Sequence, residues 1–403
     1  MAKWVPVVAA VGCAFLPACS PFGGGAFSCE RDAQCGAGAC TSGYCSFPDP
    51  GCDSGFRFGP ASSTLSNTCV GSATDASLLD AKTYLDGPPS GVTCFGAGFG
   101  KTCFADADVP TVAVTITGPI DTDTSTRCAA TVIGAPPWCV IAGTDVTTTG
   151  SIAVTGSRPL VLVATGMLTV EAIDIASHLA PPRIGAGAVP TADTTRCDPG
   201  TPPGNNGGGA GGSFGTIGGT GGNTGGIPGA IEAPNAMRGG CAGQAGKSGT
   251  FGALGLGGGA LYLVAQTQII VNGTINASGA AGSGSTSGKG GGGGGGSGGL
   301  IGLDAPFVTN HGQIFANGGG GGEGSSTGTN GFDGKEPTST ASAAASGSHS
   351  NGGDGGAGGA VTPAGAGGNA GNDGGGGAGG GAGAVRLFGA TTITGNPVSP
   401  TAS

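Results

Sequence analysis

Few side chains in this sequence are equipped for chemistry, and their spacing is what a catalytic reading must explain. The three histidines, His178, His311 and His349, are isolated from one another. His178 closes an apolar run and His311 sits in TNHGQ, so both read as solvent-facing turn residues rather than ligands. The pattern G-x-S-x-G occurs at Ser213, Ser297 and Ser326. A nucleophile elbow needs a strand–turn–helix setting with a histidine and an acid, whereas these serines lie in glycine tracts where two glycines at fixed offsets arise by chance. GAGFGKT (Gly96–Thr102) approaches a phosphate-binding loop, but Phe95 stands where the first glycine belongs. Asp121 and Asp123 in IDTDTSTRC are weak candidates for a calcium site, which requires clustered oxygen ligands. Two carboxylates in a threonine-rich loop equally make a solvated turn. The apolar segments further along carry Glu171, Asp174, Asp304 and Arg386 at unlike positions, not the paired carboxylates of a glycosidase. No catalytic constellation, cofactor site or firm metal site emerges.

The elements that must carry these residues begin at an export signal. Met-Ala-Lys-Trp supplies one positive charge, and Val5 to Pro17 is apolar over a length that suits a signal h-region but is too short to span a bilayer. The run ends in Leu16-Pro17-Ala18-Cys19, which resembles the lipobox of bacterial lipoproteins, Pro17 being its least usual member. That resemblance implies cleavage after residue 18 and lipid on Cys19, several acyl chains giving a stable anchor. Ser20 rather than an acid follows, which by the same resemblance implies the outer membrane, facing the surface or the periplasm. The alternative is an ordinary cleaved signal with Cys19 in a disulfide.

Of 14 cysteines, Cys13 leaves with the signal and Cys19 takes lipid. The remaining twelve are an even set, as a disulfide framework in an exported chain requires. They are Cys29, Cys35, Cys40, Cys45, Cys52 and Cys69, then Cys94, Cys103, Cys128, Cys139, Cys197 and Cys241. The later ones fall as candidate pairs 94/103, 128/139 and 197/241, while the pairing of the first six stays open. No C-x₂-C spacing supports a zinc site. Charged residues make up only 9% of the chain and the formal net charge is −9. Without a basic run, nucleic acid is excluded as a partner. The membrane, through lipid, and polysaccharide or other surface components are the partners expected.

After the signal (1–18), residues 19–71 form a Cys-rich module with few large apolar groups, and 72–108 a linking segment with one short helix at 76–87. Residues 109–199 alternate apolar with Thr or Ser, and β-branched residues and glycine breaks predict short strands. Beyond residue 200 glycine dominates, interrupted by apolar islands at 260–279, 300–318 and 384–395. With 159–177 these share one plan: an apolar strand, a small-residue turn, a second β-branched strand, Gly, then Ile. Gly273 matches Gly312, Ile275 matches Ile314 and Ala277 matches Ala316. Units of about 20 residues cannot bury their apolar faces alone and must stack. The fold class expected is all-β, a parallel, right-handed β-solenoid (β-helix) with long Gly-rich inserts after a small disulfide-rich module. The inserts are either mobile, since glycine loses most entropy on ordering, or packed as polyglycine-II-like arrays. Disordered glycine linkers carrying chance islands are the competing organisation.

CERDAQCGAGACTSGYCSFPDPGCDSGFRFG with CVG, and the glycine–strand junction GGGGGGSGGLIGLDAPFVTNHGQIFANGGGGGEG, resemble the Cys module and body of glycine-rich lipoproteins of myxobacteria, over nearly the whole mature chain. The resemblance implies an envelope location and no activity. The function expected is a non-catalytic cell-surface lipoprotein with a structural or adhesive role in the envelope or matrix. The alternative is a β-helix carbohydrate-active enzyme, lyase- or glycosidase-like. A surface binder of ice or polysaccharide using threonine rows from TVAVTIT, DVTTTG and TTITG is a third reading, against which the uneven sequence spacing of those threonines counts.

Overall fold

The computed structural model describes residues 29–403 apart from 30, 37, 53, 61, 63–64, 71–90, 129–130, 135–136, 192, 232–235, 341–345, 349–351, 361–364, 372 and 390–391. The signal segment, Cys19, His349 and the helix expected at 76–87 lie outside the described residues. The chain divides into two compact units, residues 1–90 and 91–403.

In the first unit, three short strands, β1 (Ala39–Thr41), β2 (Tyr44–Pro48) and β3 (Phe56–Phe58), pair antiparallel in that order. Phe58 is its one described large side chain in a core otherwise made of Cys29, Cys35 and Cys52. So few apolar groups cannot offset the entropy of ordering the chain. Disulfides Cys29–Cys40, Cys35–Cys45 and Cys52–Cys69 restrict the unfolded state instead.

Among its described residues the second unit is all-β, its helix limited to single 3₁₀ turns at Asp106–Asp108 and Thr126–Cys128. A hairpin of β4 (Val92–Phe95) and β5 (Thr102–Ala105), stapled by Cys94–Cys103, comes first. Then follow β6 (Val114–Thr117) and β7 (Ile120–Asp121), and five successive triplets. These are β8 (Cys139–Gly143), β9 (Val146–Thr149), β10 (Ser151–Thr155); β11 (Leu160–Ala164), β12 (Met167–Val170), β13 (Ala172–Asp174); and β14 (Ala260–Ala265), β15 (Gln268–Val271), β16 (Thr274–Asn276). The last two are β17 (Leu300–Asp304), β18 (Phe307–Asn310), β19 (Gln313–Phe315); and β20 (Ala384–Phe388), β21 (Ile393–Gly395), β22 (Val398–Ser399). Each strand pairs in parallel with the strand three places on. The result is three open parallel sheets, ordered β8-β11-β14-β17-β20, β6-β9-β12-β15-β18-β21 and β7-β10-β13-β16-β19-β22.

The strand sequences follow from what each sheet faces. LVLVA and ALYLVA in the first sheet are apolar at every position because both faces are covered. Its inner face places Leu160, Leu261, Ile301 and Val385 in register, and Leu162, Leu263, Leu303 and Leu387 beside them. Its outer face, with Val161, Val163, Tyr262 and Val264, packs against Phe95 and Phe104 of the hairpin. Strands of the second sheet alternate, sending Leu168, Ile269 and Val308 inward. The third sheet contributes an isoleucine ladder, Ile152, Ile173, Ile275 and Ile314, ending in Val398. One buried cluster takes side chains from all three sheets.

One difference from the sequence pattern stands out. Each repeat contains a third strand, because three residues centred on one isoleucine suffice when the neighbouring repeats supply the pairing. The segment 139–155, within the strand-rich stretch 109–199, forms a full triplet in register with the next.

The inserts (175–259, 277–299 and 316–383) all leave after the third strand of one triplet and return at the first strand of the next. Their described glycine tracts are packed, not free. Residues 290–299 run through the middle of six neighbouring segments. Gly292, Gly295 and Gly298 donate to Gly375, Ala378 and Gly381 (2.9, 2.8 and 3.0 Å). Gly293, Gly296 and Gly299 donate to Ser283, Ala280 and Ala277, and Gly291, Gly294 and Ser297 to Lys247, Gln244 and Cys241, at 2.8–2.9 Å. Their carbonyls accept from Gly209 and Gly212, from Gly252, Gly255 and Gly258, and from Gly319, Gly322 and Ser325. Bonds to one neighbour recur every third residue, the period of a polyproline-II helix, which has no internal hydrogen bonds. Backbone groups buried away from water must be paired, and this lattice pairs them between chains. A Cβ on Gly295 would lie closer than 3.0 Å to the Gly319 carbonyl oxygen, and one on Gly298 equally close to that of Ala316. Only glycine fits, which is why the tracts are bare.

Candidate functional site

The residues singled out as chemical candidates go to separate places. Asp174, on β13, holds His178 Nε2 at 3.1 Å and pairs with Arg183, while Glu336 Oε2, 158 residues along, lies 2.6 Å from His178 Nδ1. Donating hydrogen bonds to Asp174 and then to Glu336 pushes the His178 pKa up to about 9, against burial. Burial works to raise the Asp174 pKa, but the bonds from His178 and Arg183 prevail and lower it. His178 is therefore no solvent-facing turn residue. It is an imidazolium clamped between two carboxylates, tying the start of the first insert to the third. A histidine with both ring nitrogens committed and its proton held to pH 9 is poorly suited to general-base work near neutrality.

His311, by contrast, is exposed, its Nδ1 3.3 Å from Asn272 Oδ1. Glu171 accepts from the Gly150 N–H (2.5 Å) across adjacent turns, and Arg386 pairs with the Ser403 hydroxyl. Asp304 is 5% exposed, and its Oδ2 accepts three hydrogen bonds, from Ala97 N (2.6 Å), Gly98 N (3.0 Å) and Tyr262 Oη (2.9 Å). Burial, then the Asp304 charge, drive the Tyr262 phenol well above its usual pKa. The donors are the backbone of the phosphate-loop-like GAGFGKT, so the N–H groups that would cradle an anion already hold the protein's own carboxylate. Gly100 packs directly on the Tyr262 ring, and Gly98 against the Tyr262 hydroxyl and the Phe388 ring, which explains their glycines without a nucleotide.

Asp121 accepts from Asp123 N and Thr124 Oγ1 (both 2.9 Å), and these bonds lower its pKa. Asp123 instead binds Ser157 N and Oγ (both 2.7 Å), 3.8 Å from Arg158. The two acids serve turn and strand connection, their oxygens directed at different partners. Two of the three G-x-S-x-G serines pin the glycine lattice. Ser213 Oγ donates to Gly229 O (2.8 Å) and Ser297 Oγ accepts from Cys241 N (2.8 Å), while Ser326 Oγ is buried without a partner. The twelve cysteines from Cys29 to Cys241 form six disulfides, the later three being Cys94–Cys103, Cys128–Cys139 and Cys197–Cys241. The sulfurs of Cys29, Cys35 and Cys45 lie within 4.8 Å of one another, the only metal-like grouping among the described residues, but all three are in disulfides. No helix among the described residues is long and apolar enough to cross a membrane.

What the linear spacing hid is on the outer face of the second sheet. Thr115, Thr147, Thr169, Ile270, Thr309 and Thr394 stand directly opposite one another on six consecutive strands. Their neighbours two residues before form a second row, Met167, Gln268 and Phe307. A third continues the same ladder with exposed Glu171, Asn272, His311 and Asn396. The unequal inserts scatter these residues in sequence while the strand register realigns them. A separate cleft of about 510 Å³ lies beside the Cys197–Cys241 bridge, lined by Val189, Pro199, Pro203, Phe251 and Leu254.

Compared with known protein families, curated proteins and solved structures, the chain matches none. Function must be read from its own geometry.

Proposed function

We propose that this chain is a non-catalytic lipoprotein of the cell surface, held in the membrane by lipid on Cys19, with a structural or adhesive role in the envelope or its surrounding matrix. Its body is a right-handed β-solenoid. Strands joined to their parallel partner through two intervening strands favour that hand, as parallel crossovers do generally. The Gly-rich inserts then pack as a second layer along one corner.

The observation that carries this reading is how the chain is built. Six disulfides, three parallel sheets and a glycine lattice commit the sequence to rigidity, while the candidate acids, histidine and arginine each bind a local partner. The lipobox-like Leu16-Pro17-Ala18-Cys19 and the even cysteine set support export and anchoring. A net charge of −9 with no basic run argues against nucleic acid.

The test is a clean deletion complemented with the wild-type chain or with Cys19→Ala. Deletion is expected to reduce adhesion or cell aggregation, the wild type to restore it, and Cys19→Ala to lose both lipid labelling and rescue. A deletion strain with unchanged adhesion, aggregation and surface properties contradicts the proposal.

A further inference from the structure

We propose that the outer face of the second sheet, β6-β9-β12-β15-β18-β21, is a binding surface for a neutral polysaccharide. The inference deepens the adhesive reading above and rests on it.

The face has an order that a merely solvated sheet does not need. Five of six in-register positions in its central row are threonine, the exception being Ile270. Parallel strands lie about 4.8 Å apart, so six strands set out a row roughly 24 Å long. Each hydroxyl can donate and accept. Gln268 Nε2 donates to Thr309 Oγ1 (2.9 Å), and Thr394 Oγ1 to Thr309 Oγ1 (3.3 Å), so the row is linked at its β18–β21 end and to the row beside it. Beside it Phe307 is 68% exposed and Met167 40% exposed. An aromatic ring held out from a rigid strand loses little entropy on binding and offers a flat apolar face to a sugar ring. On the opposite flank, Asn272, His311 and Asn396 supply amide and imidazole groups.

Charge selects the ligand class. The carboxylates at the margins, Asp145 and Glu171, each accept one backbone N–H, from Met167 (2.8 Å) and Gly150 (2.5 Å), and they add negative charge, not positive. Neither Lys nor Arg occurs in any of the three rows, so an acidic polysaccharide or nucleic acid finds no counter-charge. A protein partner would want a contiguous apolar patch, whereas Gln268 and threonines separate Met167, Ile270 and Phe307. Ice would want a flat face, which the protruding Phe307 ring spoils. A neutral, polyhydroxylated chain meets hydroxyls, amides and a stacking ring together.

The experiment is retention of the purified mature chain on insoluble neutral polysaccharides (cellulose, chitin, agarose), with alginate and pectate as acidic comparators. Wild type is expected on at least one neutral matrix, insensitive to salt. Phe307→Ala and the pair Thr169→Ala, Thr309→Ala should each weaken binding about tenfold, the equivalent of about 1.4 kcal/mol. Unchanged melting temperatures would show that these exposed variants fold. No retention on any neutral matrix, variants that bind like wild type, or thermal hysteresis without retention each overturn the proposal. In the deletion strain, a Phe307→Ala, Thr309→Ala chain that fully restores adhesion sinks the face but leaves the adhesive role. Retention by a chain whose deletion has no phenotype does the reverse.

Discussion

Replacing Gly295 by alanine probes the lattice where it is densest. The new methyl would sit nearer than 3.0 Å to the Gly319 carbonyl oxygen, a backbone atom that cannot swing aside. Making room requires neighbouring segments to separate by about 1 Å, and overpacking of this kind costs roughly 1–3 kcal/mol. The same displacement stretches the bonds from Gly295 N to Ala378 O (2.8 Å) and from Gly212 N to Gly295 O (3.0 Å) towards breaking. Each contributes about 0.5–1.5 kcal/mol. Alanine lowers the entropy of the unfolded chain, which offsets about 0.4–1 kcal/mol. The net destabilisation is about 2–5 kcal/mol, or a fall in Tm of roughly 4–10 °C for a unit of this size. Gly367→Ala is the control, because its added Cβ meets only Thr220 O, at 3.2 Å, and its φ is not positive. Calorimetry of the two variants under oxidising conditions should show a large drop for the first and a change within about 1 °C for the second. Equal behaviour would refute the reasoning, since mobile inserts would accept a methyl anywhere.

Three further outcomes follow from the local chemistry. His178, raised from 6.5 to about 9 in the folded chain, stabilises the fold fully below pH 6.5, and that stability is lost as pH rises through about 9. The loss is on the order of 3 kcal/mol, and chemical denaturation at pH 6 and pH 10 should show it in wild type but not in His178→Gln. Asp304→Ala orphans the Ala97 and Gly98 amides and the Tyr262 hydroxyl and should cost about 2–4 kcal/mol; Asp304→Asn, which keeps an acceptor, should cost clearly less by thermal melting. Cys241→Ser opens the loop of sequence separation 44 closed with Cys197 and should cost about 4 kcal/mol by the chain-entropy relation, against about 2.6 kcal/mol for the separation of 9 between Cys94 and Cys103.

The parts of this fold readable from sequence were those written in side chains. The matches of Ile275 with Ile314 and Gly273 with Gly312 mark true register: Ile275 pairs with Ile314, and Gln313 N donates to Gly273 O. The spacings 94/103, 128/139 and 197/241 are disulfides because each falls where adjacent strands or segments meet. The packing of the glycine tracts was not readable, since it is made by backbone alone and a residue without a side chain carries no mark of its neighbour. The ion pair of His178 with Glu336 joins residues 158 apart through two inserts, beyond any local pattern. The threonine row was hidden for a different reason. Thr169 and Thr309 are 140 positions apart, with Ile270 between them in the sheet. Only stacking makes them neighbours once removed.

The glycine lattice requires the inserts to be an ordered layer, and amide hydrogen exchange reads that directly. In residues 290–299, every amide from Gly291 to Gly299 donates to a neighbouring segment. Their exchange at neutral pH should be slowed by several orders of magnitude, to rates close to those of β11 and β14 in the sheet core. The exposed turn at 194–196 should exchange far faster. Exchange of 290–299 at the rate of free polyglycine would contradict the lattice and leave the inserts as mobile tethers.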